Sequence, residues 1–154
     1  MENNKRKSIA FNEEEINLAL EINEKLTPIV DMLSYLLSVK ETKFNIILLT
    51  ANYDKLEEYL RDNKRGSDIL KEVYKEKNIY AIVCQETEIE GGYMFAKRLM
   101  KNLINDKKIT NAYSATMEIR TTKHQTKEML YKLFRVFISS KRKDVLGSIV
   151  FHSI

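Results

Sequence analysis

Short apolar segments of strand length alternate along this chain with longer, charged segments of helical period. The apolar segments are residues 44–52, 79–84, 109–119 and 147–154. The first, FNIILLTAN, is a continuous apolar run, as expected for a strand that is covered on both faces. Because helices cross over between successive strands, the alternation predicts an α/β sandwich with helices packed on a central sheet of four to five strands.

The charged segments place apolar residues at helical spacing. Helices are predicted over residues 53–64, 68–77, 91–106 and 126–141. The third helix is expected to turn Met94, Phe95, Leu99 and Leu103 inward, and the fourth Met129, Leu130, Leu133, Phe134 and Phe137.

Two further helices are predicted before the first strand. Asn12 can cap the first of them, and three glutamates follow in its first turn, where the helix dipole favours negative charge. Thr27 and Pro28 then start the second helix, as its N-cap and its first helical residue. We expect residues 1–26 to form an N-terminal tail and helix, and residues 27–154 to form the domain.

Apolar residues of these two helices recur at spacings of three and four, the seam that is typical of a helix pair. This pattern gives the hypothesis that the helices contact a protein partner, most simply a second copy of the chain, through Ile16, Leu20, Leu26 and Leu33. The alternative is that the first helix folds back onto its own sheet, and Pro28 would permit that reversal.

Composition narrows the class of protein. The chain has 154 residues, 44% hydrophobic and 31% charged, as in one globular domain. The net charge of +4 is spread among interleaved acidic residues, so no nucleic-acid partner is predicted. No run is long enough to span a membrane, and Cys84, the lone cysteine, is expected to be a small buried hydrophobe. We expect a cytoplasmic protein.

Several segments together resemble a known family. Residues 80–103, YAIVCQETEIEGGYMFAKRLMKNL, combine an aromatic residue, a short apolar strand, a turn and a helix; NAYSATMEI places Ser114 in a strand after them. Lys141 ends the helix TKEMLYKLFRVFISSK, and EKLTP contributes Leu26 and Thr27 upstream. These segments resemble the GGDEF domain of bacterial diguanylate cyclases. The resemblance implies a nucleotidyl-cyclase-like fold and a role in signalling.

Departures from the family pattern bear on catalysis. The resemblance implies two carboxylates that hold Mg²⁺ against a triphosphate, but these positions fall on Thr50 and Ile79. The guanine-reading positions fall on Glu58 and Ser67, and the strand before the signature turn is expected to be missing at residues 75–80. We interpret the chain as a catalytically inactive regulatory or protein-interaction module, without a metal or cofactor.

A retained cleft would allow an alternative function, a nucleotide or cyclic-dinucleotide sensor. Residues expected to line such a cleft are Thr50, Asn52, Ser67 and Lys141. Arg65 and Asp68 match the R-x-x-D pattern with which the family binds its product, cyclic di-GMP. Because this segment is predicted to lie between two helices, we interpret the match as chance and helix capping, and expect no cyclic di-GMP there.

Glutamates alternate in the segment QETEIE, at Glu86, Glu88 and Glu90. Acidic side chains are favourable near the start of a helix, and alternation is common in a solvated turn. We therefore interpret this segment as a solvated turn and predict no metal site.

Overall fold

The computed structural model of the chain describes residues 10–40 and 42–154; the tail before residue 10, part of the predicted 1–26 segment, lies outside the described residues. The described residues form α1 (Glu13–Lys40), β1 (Phe44–Ala51), α2 (Leu56–Asn63), β2 (Ile69–Tyr74), β3 (Ile79–Gln85), α3 (Ile89–Lys107), β4 (Ala112–Ile119), α4 (Thr126–Arg142) and β5 (Ser148–Ser153). A single 3-10 turn, Lys75–Lys77, joins β2 to β3.

The strands form one five-stranded sheet in the order β2-β3-β1-β4-β5. β1 pairs antiparallel with β3 and with β4, β2 pairs antiparallel with β3, and β5 runs parallel to β4. Every residue of β1 is buried, as predicted for a strand that is covered on both faces. The predicted α/β sandwich is confirmed, with five strands in its sheet.

Helices cover both faces of the sheet. Because successive side chains of a strand point to opposite faces, Phe44, Ile46 and Leu48 of β1 join the core under α1 and α4, whereas Ile47 and Leu49 join the core under α2 and α3. Most of the inward residues predicted for α3 and α4 are buried, but Met94 is 58% exposed and that prediction is wrong.

The start of α1 has the predicted cap. The Glu15 amide donates to the side-chain oxygen of Asn12 at 2.8 Å, and the Asn12 amide donates to the Glu15 carboxylate at 3.0 Å. This reciprocal pair satisfies two amide donors that the helix itself leaves without partners. The cap fixes the Glu15 carboxylate against the domain.

A single helix, α1, spans the region where the sequence predicts two, so the restart at Thr27 and Pro28 is wrong. Proline inside a helix removes one hydrogen bond. Leu26 and Val30, on either side of Pro28, are completely buried, and tertiary packing of this face supports the helix through the proline. The proposed boundary after residue 26 falls inside α1.

The apolar seam of α1 faces the sheet of its own chain. Leu26 and Leu33 are 0% and 6% exposed and belong to the core that α1 shares with α4. α1 therefore packs on its own sheet, but without the reversal at Pro28 that the fold-back alternative includes, and these two buried side chains are not available for a helix pair. Ile16 and Leu20 are 45% and 63% exposed and remain accessible.

Residues 68–77 contain strand β2 and the 3-10 turn, where the sequence predicts a helix. Ile69 pairs with Val83 and Tyr74 with Ile79, with a bulge in β2 before Tyr74. The apolar spacing in this segment fits a helix, but pairing with β3 decides its structure. The predicted loss of the strand before the turn is therefore wrong.

Within residues 10–40 and 42–154, no helix is both long and apolar enough to cross a membrane.

Candidate functional site

The end of β1 and the β2–β3 hairpin meet at a pair of residues. Thr50 of β1 lies opposite Ile79 of β3 in the antiparallel register. The Thr50 hydroxyl lies 3.1 Å from the carbonyl oxygen of Lys77 and 2.9 Å from that of Asn78, so its single proton is shared between these two acceptors. Thr50 thus fastens the hairpin turn to β1.

Asn78 holds the same turn from the other side. Its backbone is left-handed, with φ 56°, a conformation that asparagine adopts more readily than most residues. Its side-chain amide donates to the carbonyl oxygens of Ala51 at 2.8 Å and Tyr53 at 2.7 Å. The hairpin is therefore held rigidly against the residues that follow β1.

A cavity of about 200 Å³ lies beside this hairpin on the α1 and α4 side of the sheet. Its lining residues are Glu14, Glu15, Leu18, Thr50, Tyr74, Lys77, Ile79, Asn111, Tyr113, Ile138 and Lys141. Both lysines contact the first turn of α1: Lys141 lies 3.7 Å from Glu15, and Lys77 lies 3.2 Å from Glu14. The positive charges of the cavity are balanced by carboxylates of the same chain.

Glu15 is the central charge of this cavity. Its side chain is 5% exposed and lies 3.2 Å from the Arg142 guanidinium as well as near Lys141. Burial by itself raises the pKa of Glu15, but the Asn12 amide and the cations Arg142 and Lys141 together leave that pKa below its ordinary value. The carboxylate is therefore charged at neutral pH.

The structure brings together some of the residues that the sequence predicts for a cleft. Thr50 and Lys141 line the same cavity. Ser67 does not join them: its carbonyl oxygen accepts a hydrogen bond from Gln85, at the opposite end of β3 from Ile79. The predicted grouping of Ser67 with Thr50 is therefore not present.

Asn52 lies just beyond β1, at the same end of the sheet as Thr50. Its side-chain oxygen accepts hydrogen bonds from the amides of Thr110 at 3.1 Å and Asn111 at 2.9 Å, and its amide donates to the Thr110 hydroxyl. Through these hydrogen bonds the Asn52 side chain joins the loop after β1 to the loop before β4.

Arg65 and Asp68 form a turn directly before β2. The buried Asp68 carboxylate accepts hydrogen bonds from the Arg65 amide at 2.8 Å and from its guanidinium at 2.9 Å. Because β2 leads into the hairpin, this R-x-x-D segment lies one strand before the hairpin turn. The prediction that it lies between two helices is wrong, and so is its interpretation as a helix cap.

The Arg65 guanidinium borders a second cavity of about 220 Å³. It donates to the Thr87 hydroxyl at 2.8 Å, and Arg98 of α3, which lies 5.2 Å from the centre of the Phe95 ring, lines the same cavity. Guanidinium groups form paired hydrogen bonds with phosphate and with base edges, and aromatic rings stack on bases. Two arginines and one aromatic ring therefore line this cavity.

The sequence identifies only one of the two arginines that line this cavity. The R-x-x-D pattern identifies Arg65, whereas no motif marks Arg98, which joins it only because α3 packs beside the end of β3. Cys84 also lines this cavity. Burial, with Asp68 nearby, raises the pKa of its thiol to about 12, so the thiol stays protonated at neutral pH, as predicted for a buried hydrophobe.

The glutamates of QETEIE do not converge. Glu88 forms an ion pair with Lys43 at 2.9 Å, and Glu86 has a left-handed backbone with φ 52°. Over the described ranges, 10–40 and 42–154, no three His, Cys, Asp or Glu side chains are grouped so that they could hold a metal ion.

A central β1, the β2–β3 hairpin beside it and helices on both faces define a nucleotidyl-cyclase-like α/β domain. Comparison with solved structures specifies this class further: the chain has a GGDEF-like fold, as the sequence resemblance predicts. No protein-family model and no curated protein sequence matches the chain.

Three of the solved structures that share this fold illustrate the similarity. The active GGEEF domain of a diguanylate cyclase from Vibrio cholerae has a TM-score of 0.62 and 10% identity, covering 75% of this chain and 86% of that one. The GGDEF domain of DgcB from Caulobacter crescentus, in complex with c-di-GMP, has a TM-score of 0.60 and 10% identity, covering 80% of this chain and 87% of that one. The FimX GGDEF domain from Pseudomonas aeruginosa has a TM-score of 0.59 and 11% identity, covering 83% of this chain and 92% of that one.

Proposed function

We propose that this chain is a catalytically inactive GGDEF-like domain that regulates by binding a protein partner. The observation that carries the proposal is the pairing of Thr50 with Ile79 at the two positions where the family resemblance implies metal-binding carboxylates. Magnesium bound with a nucleotide is held by carboxylate oxygens. The Thr50 hydroxyl is engaged with the hairpin, and Ile79 is apolar and 4% exposed.

The charges around this pair support the same proposal. Lys141 and Lys77 are each matched with a glutamate of α1, so a triphosphate would have to displace two carboxylates of the chain before the lysines could bind it. Bringing phosphate charge beside these carboxylates without a metal ion is electrostatically unfavourable.

The test is incubation of the chain with GTP and Mg²⁺ or Mn²⁺, followed by chromatography of the products. The expected result is no linear or cyclic dinucleotide. Turnover that persists through purification and is lost in Asn52→Ala or Lys141→Ala would overturn the proposal, because Lys141 lines the cavity beside the pair and Asn52 holds Asn111 of the same lining. Lys132→Ala, on the same helix as Lys141, is the matched control.

We assign the partner contact to the outer surface of α1. Its exposed apolar side chains are Ile16, Leu20, Met32, Tyr35 and Val39, which we name the α1 ridge. Of the four residues that the sequence predicts for a protein contact, Ile16 and Leu20 belong to this ridge. Apolar side chains on one exposed helix surface favour contact with another protein.

Sedimentation velocity tests whether the partner at the α1 ridge is a second copy. If it is, changing both Ile16 and Leu20 to glutamate lowers the association state while the protein stays folded, because both side chains are exposed. A double variant that sediments as the wild type does would exclude self-contact through this ridge.

A second candidate function, a cyclic-dinucleotide sensor, is favoured by the Arg65 cavity. The R-x-x-D segment lies one strand before the hairpin turn, and Arg98 and Phe95 line the cavity that Arg65 borders. The Asp68 carboxylate orients the Arg65 guanidinium through two hydrogen bonds. Guanidinium groups and an aromatic ring match the phosphates and bases of such a ligand.

Calorimetry with cyclic di-GMP tests this candidate. Binding that is lost in Arg98→Ala and retained in Arg61→Ala would support it, because Arg98 lines the cavity whereas Arg61 lies on α2 in an ion pair with Glu57. Both changes remove an exposed arginine from a helix, so general effects of charge are matched. No heat of binding to the wild type would exclude the candidate.

A further inference from the structure

The edge of the sheet formed by β5 has an unusual composition for an exposed strand. Among the described residues β5 pairs with β4 alone, so its other side has no strand partner. The segment Ser148–Ser153, SIVFHS, contains no lysine, arginine, acidic residue or proline. Edge strands are usually protected by such residues, because their free amides and carbonyls can pair with another strand.

Exposed apolar side chains also lie on and next to β5. Phe151 is 55% exposed and lies 5.0 Å from the ring of Tyr93. Val145 and Leu146, in the loop that leads into β5, are 59% and 44% exposed. Burial and the nearby Lys132 lower the pKa of His152, so this strand carries no charge at neutral pH.

The opposite edge of the sheet, formed by β2, is different. It contains Lys71 and Glu72 and has a bulge between Glu72 and Tyr74. Charged side chains and bulges both hinder pairing with a further strand. A β5 strand of one copy is therefore poorly matched to the β2 strand of another, and open chains of molecules are disfavoured.

We propose that β5 pairs antiparallel with β5 of a second copy, joining two five-stranded sheets about a twofold axis at Val150. This register places Val150 beside its own counterpart, Ile149 opposite Phe151, and Ser148 opposite His152. The two members of each pair come from different copies and lie on the same face of the combined sheet. This is possible because residues an even number of positions apart along a strand share a face. The pairs are apolar or uncharged, and β-branched and aromatic pairs stabilise antiparallel strands.

Symmetry makes this assembly a closed dimer. An isologous interface uses the same strand in both copies and leaves no second β5 edge available. The interface is separate from the α1 ridge. It goes beyond the proposed function because it assigns a second copy of the chain as the partner of the β5 edge.

Sedimentation velocity over a range of protein concentrations gives the first test. The wild type is expected to form a dimer and Phe151→Lys a monomer, because a lysine at this position protects the edge. Met94→Lys is the matched control: Met94 is 58% exposed, close to the 55% of Phe151, but lies on α3, and the variant should remain a dimer. A monomeric wild type, or a Phe151→Lys variant that remains a dimer, would overturn the proposal.

Oxidative cross-linking provides a second test that does not depend on disrupting the strand. Directly opposite residues of antiparallel strands have Cα atoms about 4.5–5.5 Å apart, within the range of a disulfide. Val150→Cys should therefore form a covalent dimer, whereas Tyr35→Cys on the α1 ridge should not. The native Cys84 is buried and is the same in both. Cross-linking of Tyr35→Cys but not of Val150→Cys would place the dimer at α1 and contradict the β5 interface.

Discussion

Thr50 and Ile79 lie directly opposite each other on the neighbouring antiparallel strands β1 and β3. The sequence resemblance assigns these two residues separately to the metal positions of the family, one at the end of a strand and one in a hairpin. Their pairing in space supports that assignment, because two ligands of one metal ion must be close together. In this chain the Thr50 hydroxyl joins β1 to the turn that precedes Ile79.

Removing the Thr50 hydroxyl should therefore loosen the hairpin. Thr50→Val keeps the shape of the side chain but leaves the carbonyl oxygens of Lys77 and Asn78 without this donor. We expect the free energy of unfolding to fall by about 1–2 kcal/mol, measured by urea denaturation. Thr122→Val, at an exposed threonine, is the control and should change it by less than about 0.5 kcal/mol. Equal stabilities for the two variants would contradict this role of Thr50.

The central part of the fold could be predicted from the sequence because local pattern and tertiary structure agree there. β1 is a continuous apolar run and is buried on both faces, and the inward residues of α4 lie on one apolar stripe. β2 could not be predicted in this way. It is a half-buried edge strand whose apolar residues also fit a helical period, and only its pairing with β3 distinguishes the two.

The candidate site was predictable only in part for a related reason. The sequence resemblance identifies Lys141. Its partner Glu15 belongs to a helix that is far away in the sequence, where the pattern indicates only a favourable charge in the first turn. Similarly, the pattern that identifies Arg65 contains no information about Arg98. Contacts between residues far apart in sequence depend on how helices pack on the sheet.

A side chain at Gly92, in the first turn of α3, should lower the stability of the protein. A Cβ atom there would lie 2.8 Å from the side chain of Asn45, which is completely buried and donates to the Thr87 carbonyl oxygen. Gly92→Ala should lower the free energy of unfolding by about 1–3 kcal/mol. Gly66→Ala is the matched control, because no heavy atom beyond Gly66 and its two chain neighbours lies within 4 Å of the added Cβ. Similar denaturation midpoints for the two variants would show that Asn45 can move.

The two sides of α1 should differ in their contribution to stability. Leu26→Ala removes a completely buried side chain from the core and should cost about 2–5 kcal/mol in the free energy of unfolding. Leu20→Ala, on the α1 ridge with 63% exposure, should cost less than about 0.5 kcal/mol. Guanidinium denaturation of both variants measures the difference. A large loss in Leu20→Ala would mean that this leucine is covered, which would remove it from the ridge.

Glu15 should make the stability of the domain depend on pH in the acidic range. Its pKa is lower in the folded chain than its ordinary value of 4.5, so its contribution is complete above about pH 4.5 and declines as the pH falls through the lower folded value. Glu15→Gln should reduce the free energy of unfolding by about 1–3 kcal/mol at neutral pH and flatten this acid-side decline. Glu14→Gln, at the neighbouring glutamate with 68% exposure, should preserve both. Urea denaturation from pH 3 to pH 7 measures these profiles. An undiminished acid-side decline in Glu15→Gln would assign the pH dependence to other carboxylates.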